Sequence, residues 1–231
     1  MKGSGAIALR MQGAIQAGDL AGLVVAAAGR DEAGFAQGFG VRRLGGTDPM
    51  APDTVVWIAS MTKAVTAVAA MRLVEAKRLS LDAPAADVLP ELGEIQVLDG
   101  FDPAGQPMLR APKRAMTLRH LLTHTSGFSY EMWSRETIAA RKALGLPPMP
   151  TGKLAAMRLP LLFDPGEAWH YGIGIDWVGR LVEAATGQTL GEHFAQTIFA
   201  PLGMPDTAFR LTDAMRARLA PQATVRRDGA W

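Results

Sequence analysis

Residues 54–63 have the sequence TVVWIASMTK and join two different patterns of hydrophobic residues. A strand-like run at residues 54–58 comes first, and residues 64–74, which are almost wholly apolar, follow. This change of pattern predicts that Ser60 lies at the first turn of a helix, with Lys63 three positions further on. Positions i and i+3 share one helix face, so the Lys63 ammonium can reach the Ser60 hydroxyl.

The Ser60–Lys63 pair suits nucleophilic catalysis. A serine hydroxyl is a poor nucleophile near neutral pH and needs a neighbouring base. Lys63 serves as that base if burial by residues 64–74 lowers its pKa, because desolvation disfavours the ammonium form. The Ser60 backbone N–H, at a helix start, is then a donor to an oxyanion. The alternative is a capping serine beside a surface lysine, and the passage from strand to buried helix favours the catalytic interpretation.

The composition excludes several other classes of function. The 231 residues fit one large domain or two interleaved lobes. The 24 basic residues nearly balance the 22 acidic ones, so we expect no nucleic-acid partner. Because the sequence has no cysteine, it has no disulfide, no thiolate metal site and no cysteine nucleophile. No cofactor is expected.

The N-terminus predicts neither export nor membrane anchoring. Lys2 precedes only a short apolar stretch, which Arg10 interrupts, so we expect no signal peptide. No run of 18 apolar residues is free of charge, so we expect no membrane-spanning helix and no membrane partner. The expected location is the cytoplasm.

The order of the predicted elements, strands first and then mostly helices, indicates an α+β fold. We divide the chain into three parts. Residues 1–60 contain the N-terminal helix and the first strands of an α/β domain, and residues 61–211 contain the catalytic helix and a helical lobe. Residues 212–231 form an irregular charged tail that leads back toward the sheet. The predicted helices cover residues 6–17, 64–74 (apolar on nearly every side and buried), 118–124 (capped by Thr117), 130–144, 153–162, 172–185 and 190–199, and residues 81–92 contain a capped short helix and its exit. The predicted strands cover residues 20–28 (buried), 33–41 and 54–58, and the first two form a hairpin with its turn near residues 29–31. Residues 93–114 form a loop or small hairpin.

Three segments together carry a resemblance to a known superfamily. Residues 58–63 read IASMTK, residues 118–128 read LRHLLTHTSGF, and residues 163–171 read FDPGEAWHY, with GRLVE following at 179–183. In this order they resemble the serine β-lactamase and penicillin-binding-protein superfamily, in its class C-like branch, and are most similar to family VIII carboxylesterases. The resemblance implies a β-lactamase-like fold, in which an antiparallel sheet with an N-terminal helix accompanies a mainly helical lobe.

The resemblance also implies a role for Tyr171. It falls where the superfamily has the tyrosine of its Tyr-x-Asn motif, which would shuttle the serine proton together with Lys63. A nearby ammonium lowers the pKa of a tyrosine, which makes that role chemically reasonable. Residues 171–173 read Tyr-Gly-Ile, without the asparagine, and this departure favours an esterase over a β-lactamase. The alternative for Tyr171 is a buried aromatic side chain packed beside Trp169.

A second departure concerns the end of the sequence. The superfamily has a late Lys-Thr-Gly motif, or a Trp-x-Gly substitute in the esterases, and nothing after Phe209 matches either one. We therefore expect that the C-terminal strands are missing from this chain. A sheet without them would expose apolar edges, so a second polypeptide would supply the strands or the chain alone would be poorly stable.

Several other conspicuous residues are candidates for contact with substrate. By resemblance, the loop after residues 125–127 overhangs the pocket, so we expect Phe128, Tyr130 and Trp133 to form a wall for the acyl or alcohol group. His170 borders the site if it is not simply packed. His120 and His124 have a spacing that can bind a metal. Because no glutamate occupies the His-Glu-x-x-His position, we interpret both histidines as structural and expect no metal site.

The sequence thus predicts a serine hydrolase that cleaves carboxylic esters with short acyl chains through an acyl-enzyme on Ser60, with Lys63 and Tyr171 moving the proton. The predicted partner is a small ester. Two alternatives stay open at this point. One is a β-lactamase or D-alanyl-D-alanine carboxypeptidase, and the other is a non-catalytic or truncated ligand-binding fragment.

Overall fold

The computed structural model describes residues 4–30 and 34–222, and the chain divides into two units. One unit comprises Met1–Ala59 with Ala208–Trp231, and the other comprises Ser60–Thr207. In chain order the elements are α1 (Ser4–Gln16), β1 (Gly22–Ala27), β2 (Phe35–Gly40), α2 (Thr62–Glu75), β3 (Val97–Phe101), β4 (Pro107–Arg110), α3 (Leu118–Leu122), α4 (Arg135–Ala143), α5 (Gly174–Thr186), α6 (Leu190–Phe194) and α7 (Asp213–Ala217), with 3-10 turns between several of them.

The first unit contains an antiparallel hairpin of β1 and β2, with α1 packed on β2. The register pairs Leu23 with Phe39, and Phe39 is the buried side chain of the hairpin. The strand predicted at residues 20–28 is present, but β1 is only half-buried, because two strands and one helix give it little cover. The turn predicted near residues 29–31 lies partly outside the described residues.

The tail of the chain returns to the first unit as a short helix followed by a backbone bridge. Thr212 caps α7, because its side chain accepts a hydrogen bond from the Met215 N–H at 3.2 Å. Val55 and Leu219 then form a parallel bridge. The irregular tail that we predicted therefore contains a helix. The strand predicted at residues 54–58 is reduced to this bridge, in which the Val55 N–H donates to the Arg218 carbonyl at 3.0 Å and the Val55 carbonyl accepts from the Ala220 N–H at 2.9 Å.

The second unit is organised around α5, against which α2, α3 and α6 pack. The helix predicted at residues 172–185 is confirmed, and it ends at Gly187, whose φ of 72° is left-handed. The predicted cap of α3 is also confirmed, since the Thr117 side chain accepts a hydrogen bond from the His120 N–H. The core consists of apolar side chains from these helices and the adjoining loops, among them Leu73, Leu118, Leu121, Phe128, Leu161, Ile173, Trp177, Val178, Leu181, Val182 and Phe194.

Helix α2 is buried on one face and exposed on the other. Its buried positions include Ala69, Ala70 and Leu73, whereas Val68 is 51% and Met71 43% exposed. The prediction that this helix is buried on all sides is therefore wrong, because its apolar residues meet α5 along a single face. Within the described ranges, every helix falls short of the length and hydropathy that a membrane span needs.

The hairpin predicted within residues 93–114 is confirmed as β3 and β4, whereas the helix predicted at residues 153–162 is wrong. That segment contains only a 3-10 turn, Leu154–Met157, and then becomes extended. Pro160 explains the difference, because proline lacks an N–H and disfavours helical conformation in the residue before it. The extended segment runs beside β3, where the Leu98 N–H donates to the Leu161 carbonyl at 2.8 Å.

Gly127 lies where two backbone segments of the second unit come into close contact. Its φ is 93°, and a Cβ at this position would lie 2.3 Å from the Phe163 carbonyl oxygen. The Gly127 carbonyl accepts a hydrogen bond from the Leu162 N–H at 2.8 Å. A side chain here would therefore force the two segments apart. Gly145 has a similar φ of 66°, but a Cβ there would meet nothing within 4 Å.

We predict that Gly127→Ala destabilises the protein more than Gly145→Ala. Both variants place alanine in a left-handed conformation, which costs about 1–2 kcal/mol. Only Gly127→Ala adds a clash with backbone, and the overpacking should lower the free energy of unfolding by a further ~1–3 kcal/mol. Urea denaturation of the two variants measures this difference. Equal losses would contradict the close contact at Gly127.

Candidate active site

Ser60 and Lys63 lie at the start of α2, as the sequence predicts. Ser60 is in the 3-10 turn Ala59–Met61, which leads into the helix, and its side chain is exposed. The Lys63 Nζ lies 3.3 Å from the Ser60 Oγ and donates a hydrogen bond to it. The preceding Ala59 has a φ of 45°, an uncommon conformation for a residue with a Cβ. The serine hydroxyl is thus both accessible and held beside an amine.

Tyr171 completes a cluster of three polar groups around the serine hydroxyl. Its hydroxyl donates to the Ser60 Oγ at 2.9 Å. The Lys63 Nζ lies 5.1 Å from the centre of the Tyr171 ring. Tyr171 is therefore not a buried aromatic packed beside Trp169, whose side chain is 66% exposed. The structure brings the three predicted catalytic residues together, and their catalytic role stays a prediction.

Backbone hydrogen bonds hold Tyr171 in this position. The segment before it runs beside the loop after α3, where the Gly166 N–H donates to the Thr125 carbonyl at 2.7 Å and the His170 N–H donates to the His124 carbonyl at 2.9 Å. The His124 ring lies against the Tyr171 ring, with 4.7 Å between their centres. Two of the three sequence segments that carry the resemblance therefore form one local structure, and that structure positions the Tyr171 phenol.

A buried carboxylate anchors the same segment. Asp164 has no exposed surface, and its two oxygens accept hydrogen bonds from the Arg110 guanidinium at 3.0 and 2.7 Å. Its Oδ1 also accepts from the Lys113 N–H at 2.7 Å. The Arg110 guanidinium, with this backbone donor, holds the pKa of Asp164 well below its ordinary value. The turn that leads to Tyr171 is thereby fixed to the end of β4.

The pKa shifts of the cluster correct one expectation. Partial burial lowers the pKa of Lys63, but the neighbouring Tyr171 and Tyr130 phenols raise it, and the net pKa lies above its ordinary value. The hydrogen bond between Tyr171 and Ser60 lowers the pKa of Tyr171. Desolvation raises that pKa, and the Lys63 ammonium lowers it further. Lys63 is therefore held as an ammonium, and Tyr171 is the group that loses its proton more readily.

Tyr130 is the one predicted wall residue that reaches the cluster. Its ring centre lies 5.4 Å from the Lys63 Nζ and 5.5 Å from the centre of the Tyr171 ring. Its hydroxyl donates to the Asp176 Oδ2 at 3.3 Å. The sequence reasoning missed Asp176. Its signal was an acidic side chain in the first turn of a helix that was itself predicted, five positions after Tyr171.

The other predicted contact residues have different roles. Phe128 is only 1% exposed and stacks on Trp177 in the core, so the prediction that it forms a pocket wall is wrong. Trp133 is 61% exposed and is not packed into the cluster. The His170 Nε2 is hydrogen-bonded to the Ser129 Oγ at 2.8 Å, which ties it to the loop beside the site.

The two histidines of the α3 region have structural partners. The His120 Nδ1 accepts from the Thr117 N–H at 3.2 Å and completes the cap of α3. His124 supports the Tyr171 ring, and burial together with the Lys63 charge lowers its pKa. Among residues 4–30 and 34–222, no three acidic or histidine side chains group in a way that could hold a metal ion.

Gly172 occupies the position next to the predicted proton shuttle. A Cβ at this position would lie 2.3 Å from the Phe128 carbonyl oxygen. The backbone after Tyr171 thus lies tightly against the loop that carries Phe128. This close approach explains why a glycine follows the tyrosine here.

Comparison with known proteins agrees with the geometry. A sequence profile of the family described as Beta-lactamase matches residues 7–231. The chain is 36% identical to an acyltransferase (mokF) of Monascus pilosus over 86% of its own length and 50% of the relative's. It is 39% identical to a lovastatin esterase of Penicillium rubens over 90% of its own length and 54% of the relative's.

A solved structure is also similar to this chain. The unliganded simvastatin synthase (LovD) of Aspergillus terreus superimposes with a TM-score of 0.84 at 32% identity, covering 95% of this chain and 58% of that one. The chain spans about half the length of the curated relatives it matches. The predicted β-lactamase-like fold is confirmed, with mixed helices and small sheets. The chain belongs to the Beta-lactamase family.

Proposed function

We propose that this chain carries the nucleophile of an acyl-transfer enzyme that cleaves carboxylic esters through an acyl-enzyme on Ser60. One observation carries the proposal: the Ser60 Oγ is within hydrogen-bond distance of both the Tyr171 hydroxyl, at 2.9 Å, and the Lys63 Nζ, at 3.3 Å. A serine between a potential base and a fixed positive charge has what nucleophilic catalysis requires. The esterase and acyltransferase relatives support the same chemistry at the level of the family.

The proton path follows from the directions of the pKa shifts. With Tyr171 as phenolate, its oxygen takes the Ser60 proton while the Oγ attacks the ester carbonyl. The Lys63 ammonium stabilises the phenolate before this step and the developing negative charge during it. When the tetrahedral intermediate collapses, Tyr171 returns the proton to the leaving alcohol, and the acyl group stays on Ser60. The Ser60 N–H, at the start of α2, is our proposed donor to the oxyanion.

The acyl-enzyme can be resolved by water or by a second alcohol, and these outcomes define two candidate functions. Water gives an esterase, which we expect to prefer short acyl chains. An alcohol gives an acyltransferase, a candidate favoured by the similarity to relatives named acyltransferase. The acyl-enzyme half-reaction is common to both.

We predict that, with p-nitrophenyl butyrate as acyl donor and an added primary alcohol, a transferase forms a new butyrate ester at the expense of butyric acid. Chromatography of the products measures the two amounts. Butyric acid alone would exclude transfer to that alcohol.

A β-lactam substrate is one of the two alternatives left open by the sequence. Ile173 stands where β-lactamases have the asparagine that contacts the substrate amide, so we expect ester turnover to exceed that of nitrocefin. The reverse order of activities would favour the β-lactamase.

We predict that Ser60→Ala abolishes turnover of p-nitrophenyl butyrate, with a loss of at least about a thousandfold, because no second nucleophile can hold the acyl group. The variant should also lose covalent labelling by a fluorophosphonate probe, detected by intact mass. Ser80→Ala is the matched control, since Ser80 is an exposed serine whose hydroxyl accepts hydrogen bonds from nearby backbone N–H groups. Turnover or labelling that persists in Ser60→Ala would refute the proposal.

We also predict a characteristic pH profile for kcat/KM. The rate should rise with pH as Tyr171 ionises, through a pKa below the ordinary value of about 10 for tyrosine. It should fall only when Lys63 loses its proton, above the ordinary value of about 10.4 for lysine. Tyr171→Phe should remove the acidic limb along with most of the activity. An unchanged acidic limb in Tyr171→Phe would exclude Tyr171 as the base.

A further inference from the structure

Both tyrosines of the 231-residue sequence lie in the active-site cluster, and the proposed mechanism uses only one of them. Tyr171 contacts Ser60, whereas Tyr130 lies beside Lys63, with its ring centre 5.4 Å from the Nζ. The Tyr130 phenol lies beside Lys63 and raises the pKa of that amine, and its hydroxyl donates to the Asp176 Oδ2 at 3.3 Å. A continuous set of contacts therefore links Asp176 to the nucleophile.

The direction of each hydrogen bond in this set is determined by chemistry. A carboxylate only accepts, and an ammonium only donates. The Tyr130 hydroxyl between them must then give its hydrogen to Asp176 and turn a lone pair toward Lys63. Lys63 in turn donates to the Ser60 Oγ. The carboxylate thus determines how the Tyr130 hydroxyl is oriented, and that orientation gives Lys63 a second acceptor beside Ser60.

We propose that Asp176 is a positioning residue, which acts through Tyr130 to hold the Lys63 ammonium against the Ser60 hydroxyl. The three side chains come from three separate parts of the second unit: α2, the loop before α4, and the first turn of α5. The positioning role would explain why side chains from these separate parts converge on the Lys63 amine. The proposal rests on the proposed role of Ser60 as nucleophile, and Asp176 itself touches neither Ser60 nor, in the mechanism above, the substrate.

The charge of Asp176 also acts on the groups around it. Lys63, Tyr130 and Tyr171 interact with it electrostatically, and His124, whose ring packs on Tyr171, is affected in turn by the Lys63 charge. Crowding by protein atoms raises the pKa of Asp176, although its side chain is still reached by solvent, while Lys63 and Tyr130 pull that pKa down. The Asp176 carboxylate contributes an upward shift to the pKa of Tyr130 and of Tyr171. Removing that charge should therefore make both phenols more acidic.

The first test compares Asp176→Asn, Tyr130→Phe and the double variant by the kinetics of p-nitrophenyl butyrate hydrolysis. Misplacement of a catalytic group costs up to about a hundredfold, so we expect each single variant to lose about tenfold to a hundredfold in kcat with little change in KM. Because Asp176 acts through Tyr130, the double variant should be no slower than Tyr130→Phe. Losses that multiply in the double variant would overturn the proposal. Circular dichroism checks that each variant is folded.

The second test does not depend on enzyme activity. Since the chain has only two tyrosines, the ultraviolet absorbance of tyrosinate follows Tyr130 and Tyr171 directly, and Tyr171→Phe assigns the two steps. Asp176→Asn should move both steps to lower pH, and the acidic limb of the kcat/KM profile should move with the Tyr171 step. The control is Asp87→Asn, which removes the same charge from an exposed aspartate beside the C-terminal end of α2. Steps that stay in place in Asp176→Asn, or that move equally in Asp87→Asn, would overturn the proposal.

The two tests separate this proposal from the proposed function. Suppose that the unmodified protein neither turns over the ester nor labels at Ser60, but the tyrosinate steps move in Asp176→Asn as expected. The proposed function is then wrong and the proposed role of Asp176 stands. If the protein is active and the tyrosinate steps do not move in Asp176→Asn, the proposed role of Asp176 is wrong and the proposed function stands.

Discussion

The hydrogen bond between the Tyr171 hydroxyl and the Ser60 Oγ is the contact on which the site depends, and it joins residues that are 111 positions apart. Neither end can be placed by local structure alone. Ser60 is fixed by the turn into α2, whose buried face packs on α5. Tyr171 is fixed by the loop after α3, and Asp164 anchors the turn before it to Arg110. Much of the second unit can be understood as support for these two positions.

In the proposed mechanism Lys63 lies beside Ser60 without acting as its base. Burial favours the neutral amine, and on that ground alone Lys63 would be the proton acceptor. The Tyr130 and Tyr171 phenol oxygens, however, raise the pKa of Lys63 by more than burial lowers it, because their negative charge stabilises the ammonium form. The same interaction makes Tyr171 more acidic. In the proposed mechanism the positive charge and the base therefore belong to different residues, Lys63 and Tyr171.

The sequence predicted the parts of this structure that depend on neighbouring positions. The Ser60–Lys63 spacing, the cap at Thr117 and the helix at residues 172–185 follow from short-range patterns, and the family resemblance added Tyr171. Sequence reasoning failed where distant packing decides. Phe128 is in the core because Trp177 lies beside it, and α2 has an exposed face because α5 covers only the other. The pairs Arg110–Asp164 and Tyr130–Asp176 have no signal in the local sequence, since 54 and 46 positions separate the partners.

The relatives named esterase and acyltransferase pose one chemical question rather than two. In the proposed mechanism both reactions share the same first half, in which Ser60 takes the acyl group and Tyr171 returns a proton to the leaving alcohol. In the second half the proton moves from the incoming nucleophile to Tyr171, whether that nucleophile is water or an alcohol. The cluster of Ser60, Lys63 and Tyr171 therefore does not discriminate between them. The choice depends on which molecule reaches the acyl-enzyme, and so on the surfaces around Ser60 that admit an alcohol or water.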